Sequence, residues 1–195
     1  MNITLASSIR PGAVALMALM AATRFHHVGS AFSLPDASLA VFFLAGLWLG
    51  GRYLFIALLL EAGLIDYLAI THNGVSDFCI SQAYVFLIPT YAAMWIGGQW
   101  CAKFPVLSAA SAMQQFAALV MAASIAFLIS NGSFYLLSGR YTDLSWGRYF
   151  AQAAEYYPSY VGYTLCYTVA IFSIVKLFMA LPDMRNKYAA IDKRG

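Results

Sequence analysis

An all-α integral membrane protein with six transmembrane helices is the fold class this chain predicts, and three observations predict it. Of its 195 residues, 62% are hydrophobic and only 10% are charged, where a soluble domain usually carries about a quarter charged residues. The mean hydropathy is +0.73. The apolar stretches run nearly end to end, separated by short polar breaks, so no water-facing surface can be assembled and lipid must be the solvent for most of the chain. Residues 1–195 therefore read as a single six-helix membrane domain.

Crossing a hydrocarbon core about 30 Å thick takes roughly 20 apolar residues at about 1.5 Å rise each. The first candidate span, Pro11 to Phe25, is short. The second covers Asp36 to Gly50 and stops at the pair Gly50-Gly51. The third runs from Arg52 to Thr71, and the fourth from Cys79 to Trp100. The fifth extends from Pro105 to Ser130, where Asn131-Gly132 reads as a helix stop. Pro158, a good first-turn residue, opens the sixth, which reaches Leu181 before Pro182. Between the last two, Tyr141 to Tyr157 is amphipathic and aromatic, the pattern of a separate interfacial helix.

Lys and Arg set the orientation. With six spans both termini share a side, and Arg10, Arg52, Lys103, Lys176, Arg185, Lys187, Lys193 and Arg194 fall there, eight of the eleven basic residues. Arg24, Arg140 and Arg148 fall opposite. Both termini are expected in the cytoplasm, and the net charge of +3 reflects this asymmetry rather than a nucleic-acid partner. The apolar run after Arg10 is followed by Arg24-Phe25-His26-His27 rather than a cleavage site, so it reads as a retained first helix.

The outer side is chemically richer than the inner one. It gathers all three histidines, His26, His27 and His72, and an aromatic group of Tyr141, Trp146, Tyr149, Phe150, Tyr156, Tyr157 and Tyr160. The aromatics alone fit an interfacial belt. Their one-sidedness fits a binding cup. Within the third span, Glu61 and Asp66 are intramembrane carboxylates, which are costly and point to function by default. Glu61 is better explained by hydrogen bonds within the bundle, to Tyr or Gln side chains such as Gln114 and Gln115. Asp66, His72, Gln82 and Tyr84 lie close enough to the outer surface to reach a cup.

Three cysteines, Cys79, Cys101 and Cys166, show neither CxxC nor metal-ligand spacing, which argues against a redox pair or a zinc site. Cys166 reads as packing within the sixth span. Cys79 stands where an outer loop enters a helix, and a thiol at a helix N-terminus is biased toward thiolate, a strong ligand for a soft or borderline metal. The chain has no GxxxxGK[ST] phosphate loop, so nucleotide is not expected as a cofactor. In the first helix, Ala18 and Ala22 form a small-xxx-small pair of the kind that lets helices approach closely in lipid.

Taken together, six spans, an outward cup and the Ala18–Ala22 face resemble the S-components of energy-coupling factor vitamin transporters. The stretch Asp77-Phe78-Cys79-Ile80-Ser81-Gln82-Ala83-Tyr84 resembles their cobalamin-specific branch, the BtuM family. The resemblance implies a bacterial inner-membrane protein that binds and takes up cobalamin, with Cys79 as axial ligand of the corrinoid cobalt. Asp66, His72, Phe78, Gln82, Tyr84, His27 and Tyr149, all on the outer side, are the candidates to surround that ligand, and the resemblance puts Ala18 and Ala22 at the face that docks an energy-coupling transmembrane subunit and its ATPases. Thiolate ligation is expected to weaken the opposite axial bond, so Cys79 is also the candidate for removal of an upper ligand such as cyanide when a reductant is supplied. Two other functions fit the same residues: an S-component for another vitamin, and a small membrane thiol enzyme pairing Cys79 with His26, His27 or His72.

Overall fold

A computed structural model describes residues 11–24, 34–73, 76–78, 80–104, 109–142 and 144–180. These residues are helical almost throughout, in the order α1 (Pro11–Arg24), α2 (Ser38–Trp48), α3 (Arg52–Asn73), a 3₁₀ turn (Gln82–Phe86), α4 (Leu87–Cys101), α5 (Ala109–Leu137) and α6 (Trp146–Ala180). Three segments are long and apolar enough to cross a membrane: Arg52–His72, Ala110–Leu137 and Trp146–Phe178. The others are shorter. α2 spans 11 residues, about 16 Å, and is enclosed by the longer helices.

The core is built on α2. Ala40, Val41, Phe42, Leu44 and Ala45 have no solvent exposure, and α2 packs against α1, α3, α4 and α6. Two glycines bring α2 and α4 together. A Cβ on Gly46 would land on the Trp95 carbonyl oxygen, and one on Gly98 would land on the Phe43 carbonyl oxygen. No side chain larger than hydrogen fits that crossing, and dispersion between the two backbones replaces the hydrophobic drive that lipid does not supply.

The expected break at Gly50-Gly51 is observed, with both residues at positive φ (61° and 86°), where glycine carries no steric penalty. α3 follows with a narrow buried stripe of Leu58, Ala62, Ile65 and Ala69, while Leu60 and Leu64 on its other faces are 70% and 57% exposed. One packed stripe with apolar residues outside it is how a helix facing lipid reads.

Two boundaries differ from the sequence expectation. α5 does not stop at Asn131-Gly132 but continues to Leu137, turning near Gly139 at φ 70°. The extra turns are anchored: Ser133 and Tyr135 are buried, and the Tyr135 hydroxyl accepts from the Ser145 N–H and donates to its carbonyl, both at 3.0 Å. The separate interfacial helix and the start at Pro158 are also corrected. α6 is continuous from Trp146, with Pro158 inside it. Proline forfeits one hydrogen bond there, a loss that neighbouring groups absorb more readily in membrane helices than in soluble ones.

Candidate functional site

A buried ionic cluster organises the end of the bundle where α1, α2, α3 and α4 meet. Arg24, in the last turn of α1 where a cation complements the helix dipole, is 7% exposed. Its Nε donates to Asp66 Oδ1 at 2.7 Å and its Nη2 to Asp66 Oδ2 at 2.6 Å, a bidentate fork of the kind guanidinium makes best. Its Nη1 donates to Asp36 Oδ2 (3.0 Å), Ser38 Oγ (3.0 Å) and Tyr91 Oη (2.7 Å).

Each partner is held in turn. Asp36 accepts from the Ser38 N–H and hydroxyl at the start of α2. Thr23 Oγ1 accepts from the Ala37 N–H, and Tyr167 Oη donates to the Pro35 carbonyl, pinning the entry to α2 from two sides. Tyr91 stacks on Phe42 with ring centroids 4.3 Å apart. Tyr84, in the 3₁₀ turn, donates its hydroxyl to Asp66 Oδ2 at 2.7 Å.

Beside this cluster lies a cavity of about 720 Å³, a volume typical of small-molecule sites. Arg24, Asp36, Asp66, Tyr84 and Tyr91 make its polar side. Phe127, Phe134, Tyr141, Tyr156 and Tyr160 from α5, α6 and their connection make an aromatic side, and Phe78 and Ile80 from the α3–α4 connection also line it. A second cavity of about 320 Å³ shares Tyr141, Gln152 and Tyr156 with the first and adds Arg148 and Glu155.

The sequence-derived candidates divide sharply against this geometry. Asp66, Phe78 and Tyr84 line the larger cavity together. Gln82 is exposed and lines neither cavity. His72 is exposed at the end of α3, its Nδ1 2.7 Å from Thr71 Oγ1. Tyr149 packs among Tyr135, Trp146 and Phe150 rather than on the cavity. Cys79 and His27 lie outside the described residues. Ala18 and Ala22 are both exposed on one face of α1.

Other expectations need correcting. Gln115 does not serve Glu61 but donates to the Cys101 and Phe104 carbonyls, fastening the end of α4 to α5. Glu61 Oε2 is buried without a hydrogen-bond partner. Cys166 is exposed on α6 rather than packed inside.

Several lining residues escaped sequence reasoning. Arg24 counted there only toward orientation and against a cleavage site, and Asp36 only marked a helix start. A basic and an acidic residue flanking one loop between two apolar segments was the available signal, because both sit where charge has to be paired. Arg140 was missed as well. Its guanidinium lies 4.6 Å over the Phe78 ring and its Nη2 donates to the Phe78 carbonyl at 3.3 Å, while Phe78 leans on Phe134 at 5.7 Å. Phe78 is thereby clamped to the α5–α6 connection.

Among the described residues no group of three or more His, Cys, Asp or Glu side chains is arranged to hold a metal ion. No protein-family model matches the chain, and no curated protein matches it.

Proposed function

We propose that this protein binds cobalamin at the outer face of the bacterial inner membrane and carries it inward, crossing the membrane six times with both termini in the cytoplasm. The observation that carries this reading is the aromatic walling of the cavity, lined by both described neighbours of position 79, Phe78 and Ile80. At about 720 Å³ the cavity takes part of the cobalamin macrocycle, and the rest of the ligand stands outside it. Cobalamin is a flat, amide-fringed macrocycle with a metal at its centre. It calls for broad apolar walls, convergent polar groups and one strong axial anchor. The cavity supplies the first two, and the Cys79 thiolate is the anchor.

In this reading sulfur forms a bond to Co(III) as the bond to the lower base breaks. When an external thiol then supplies one electron, cobalt becomes Co(II) and an upper cyanide leaves with its bonding pair, two such thiols ending as one disulfide over two turnovers. Because the chain has no phosphate loop, ATP hydrolysis belongs to separate subunits, docked against the exposed Ala18–Ala22 face of α1.

The test is the visible absorption spectrum of the purified protein after incubation with cobalamin and gel filtration, for the parent and for Cys79→Ala. A co-eluting chromophore with a shifted, thiolate-type spectrum in the parent alone is the expected result. A colourless parent overturns cobalamin as ligand, and identical spectra for the two proteins overturn the role of Cys79.

A further inference from the structure

We infer that the second cavity takes the phosphoribosyl arm of the corrinoid, with Arg148 on the phosphodiester and Glu155 on the ribose hydroxyls. The inference rests on the corrinoid reading above and deepens it. Once the Cys79 sulfur replaces the lower base on cobalt, the arm carrying that base is no longer held against the ring. The first cavity takes only part of the macrocycle, so the arm has to lie beyond its wall. Tyr141, Gln152 and Tyr156 line both cavities, so the second opens directly beside the first. Its volume of about 320 Å³ lies at the lower end for small-molecule sites.

The two linings differ in the charge they leave free. In the first, Arg24, Asp36 and Asp66 are spent on one another. In the second, Arg148 and Glu155 are both exposed, and neither forms an ion pair among the described residues. Arg148, Gln152 and Glu155 recur one turn apart along one face of α6, as residues three or four apart on a helix do. That puts Arg148 and Glu155 about two turns, roughly 10 Å, from each other along the axis. The distance is too long for a direct bridge, but a phosphate and the sugar attached to it can span it. The Arg148 guanidinium lies 5.9 Å over the Tyr141 ring, a contact that uses its face and leaves its N–H edge for an acceptor. A phosphodiester offers that edge two oxygens and one negative charge. The ribose hydroxyls are donors, which a carboxylate accepts.

The experiment measures equilibrium binding of cyanocobalamin and of cyanocobinamide to the purified full-length parent and to Arg148→Met. Cyanocobinamide keeps the corrin ring, the cobalt and the side-chain amides but lacks the phosphate-linked ribose and base. Arg148→Met should weaken cyanocobalamin about tenfold and leave cyanocobinamide unchanged, and Arg148→Lys should recover part of the loss. Glu155→Leu should weaken cyanocobalamin about threefold, again without effect on cyanocobinamide. In the parent, added salt should weaken cyanocobalamin more than cyanocobinamide, since only the former brings a phosphate to the cation. Equal losses for the two ligands in Arg148→Met overturn the arm site and put Arg148 in the service of the ring. Unchanged affinity for both overturns it as well, and a phospholipid content of the purified protein that falls in Arg148→Met would then assign the phosphodiester to a lipid headgroup. Failure of both corrinoids to bind the parent overturns the corrinoid reading instead, and the arm site with it.

Discussion

Arg24 grips Asp66 with two parallel hydrogen bonds of 2.7 and 2.6 Å across 42 residues of sequence, tying the end of α1 to α3 inside the bundle. Because the guanidinium also reaches Asp36 and Tyr91, this one side chain sets the mutual positions of α1, α2, α3 and α4 on the polar side of the cavity. Removing the cation leaves two partly buried carboxylates, Asp36 and Asp66, side by side without their partner. Arg24→Met should therefore cost about 3–5 kcal/mol, read as a lowered thermal midpoint in detergent. The paired change Arg24→Met with Asp66→Leu should recover part of that loss.

Tyr84 separates a folding role from a binding role. Its hydroxyl donates to Asp66, but Asp66 keeps both Arg24 bonds without it. Tyr84→Phe should cost about 1 kcal/mol of stability and leave the gel-filtration profile unchanged. Ligand affinity should fall further than stability does, because Tyr84 itself lines the cavity and its phenol oxygen is lost from the polar side. A loss of stability comparable to that of Arg24→Met would instead assign Tyr84 to the scaffold.

Arg140 acts on the other side of the cavity. A cation–π contact and one hydrogen bond to Phe78 together hold about 1–1.5 kcal/mol at an exposed site. Arg140→Ala should therefore weaken ligand retention about tenfold, mainly through a faster off-rate measured by stopped-flow absorbance. Arg140→Lys should recover only part of it, since an ammonium lacks the planar face that stacks on the ring.

How much of this was legible in the sequence follows from the kind of signal each feature carries. The helices were legible because apolar runs long enough to cross lipid have few other readings, and Gly50-Gly51 marked a real turn because two adjacent glycines relieve the same left-handed strain. Asn131-Gly132 misled, since burial of Tyr135 and its bonds to Ser145 outweigh a weak local stop. Pro158 misled for the same reason: tertiary packing of α6 overrides a one-residue preference. Asp66 and Tyr84 were found because polar side chains at the edge of an apolar span stand out. Arg24 and Asp36 were passed over because each looks like an ordinary flank until the fold brings them within 3.0 Å. Arg24 and Asp36 are only 12 residues apart, but the bond that ties both into one cluster, Arg24 to Asp66, spans 42 residues and lies in no single window.

The α2–α4 crossing tests the core independently of any ligand. Gly98→Ala places a methyl group where the Phe43 carbonyl oxygen already stands, and backbone cannot yield as a flexible side chain would. The two helices must separate, opening the layer in which Phe42 stacks on Tyr91 and through it the Arg24 cluster. A cost of about 1–3 kcal/mol is expected from overpacking, together with weakened ligand binding although the site of substitution is not on the cavity. Gly63→Ala is the control, because nothing lies within 4 Å of the added carbon. It should leave binding unchanged and raise the thermal midpoint slightly, as alanine is the better helix former.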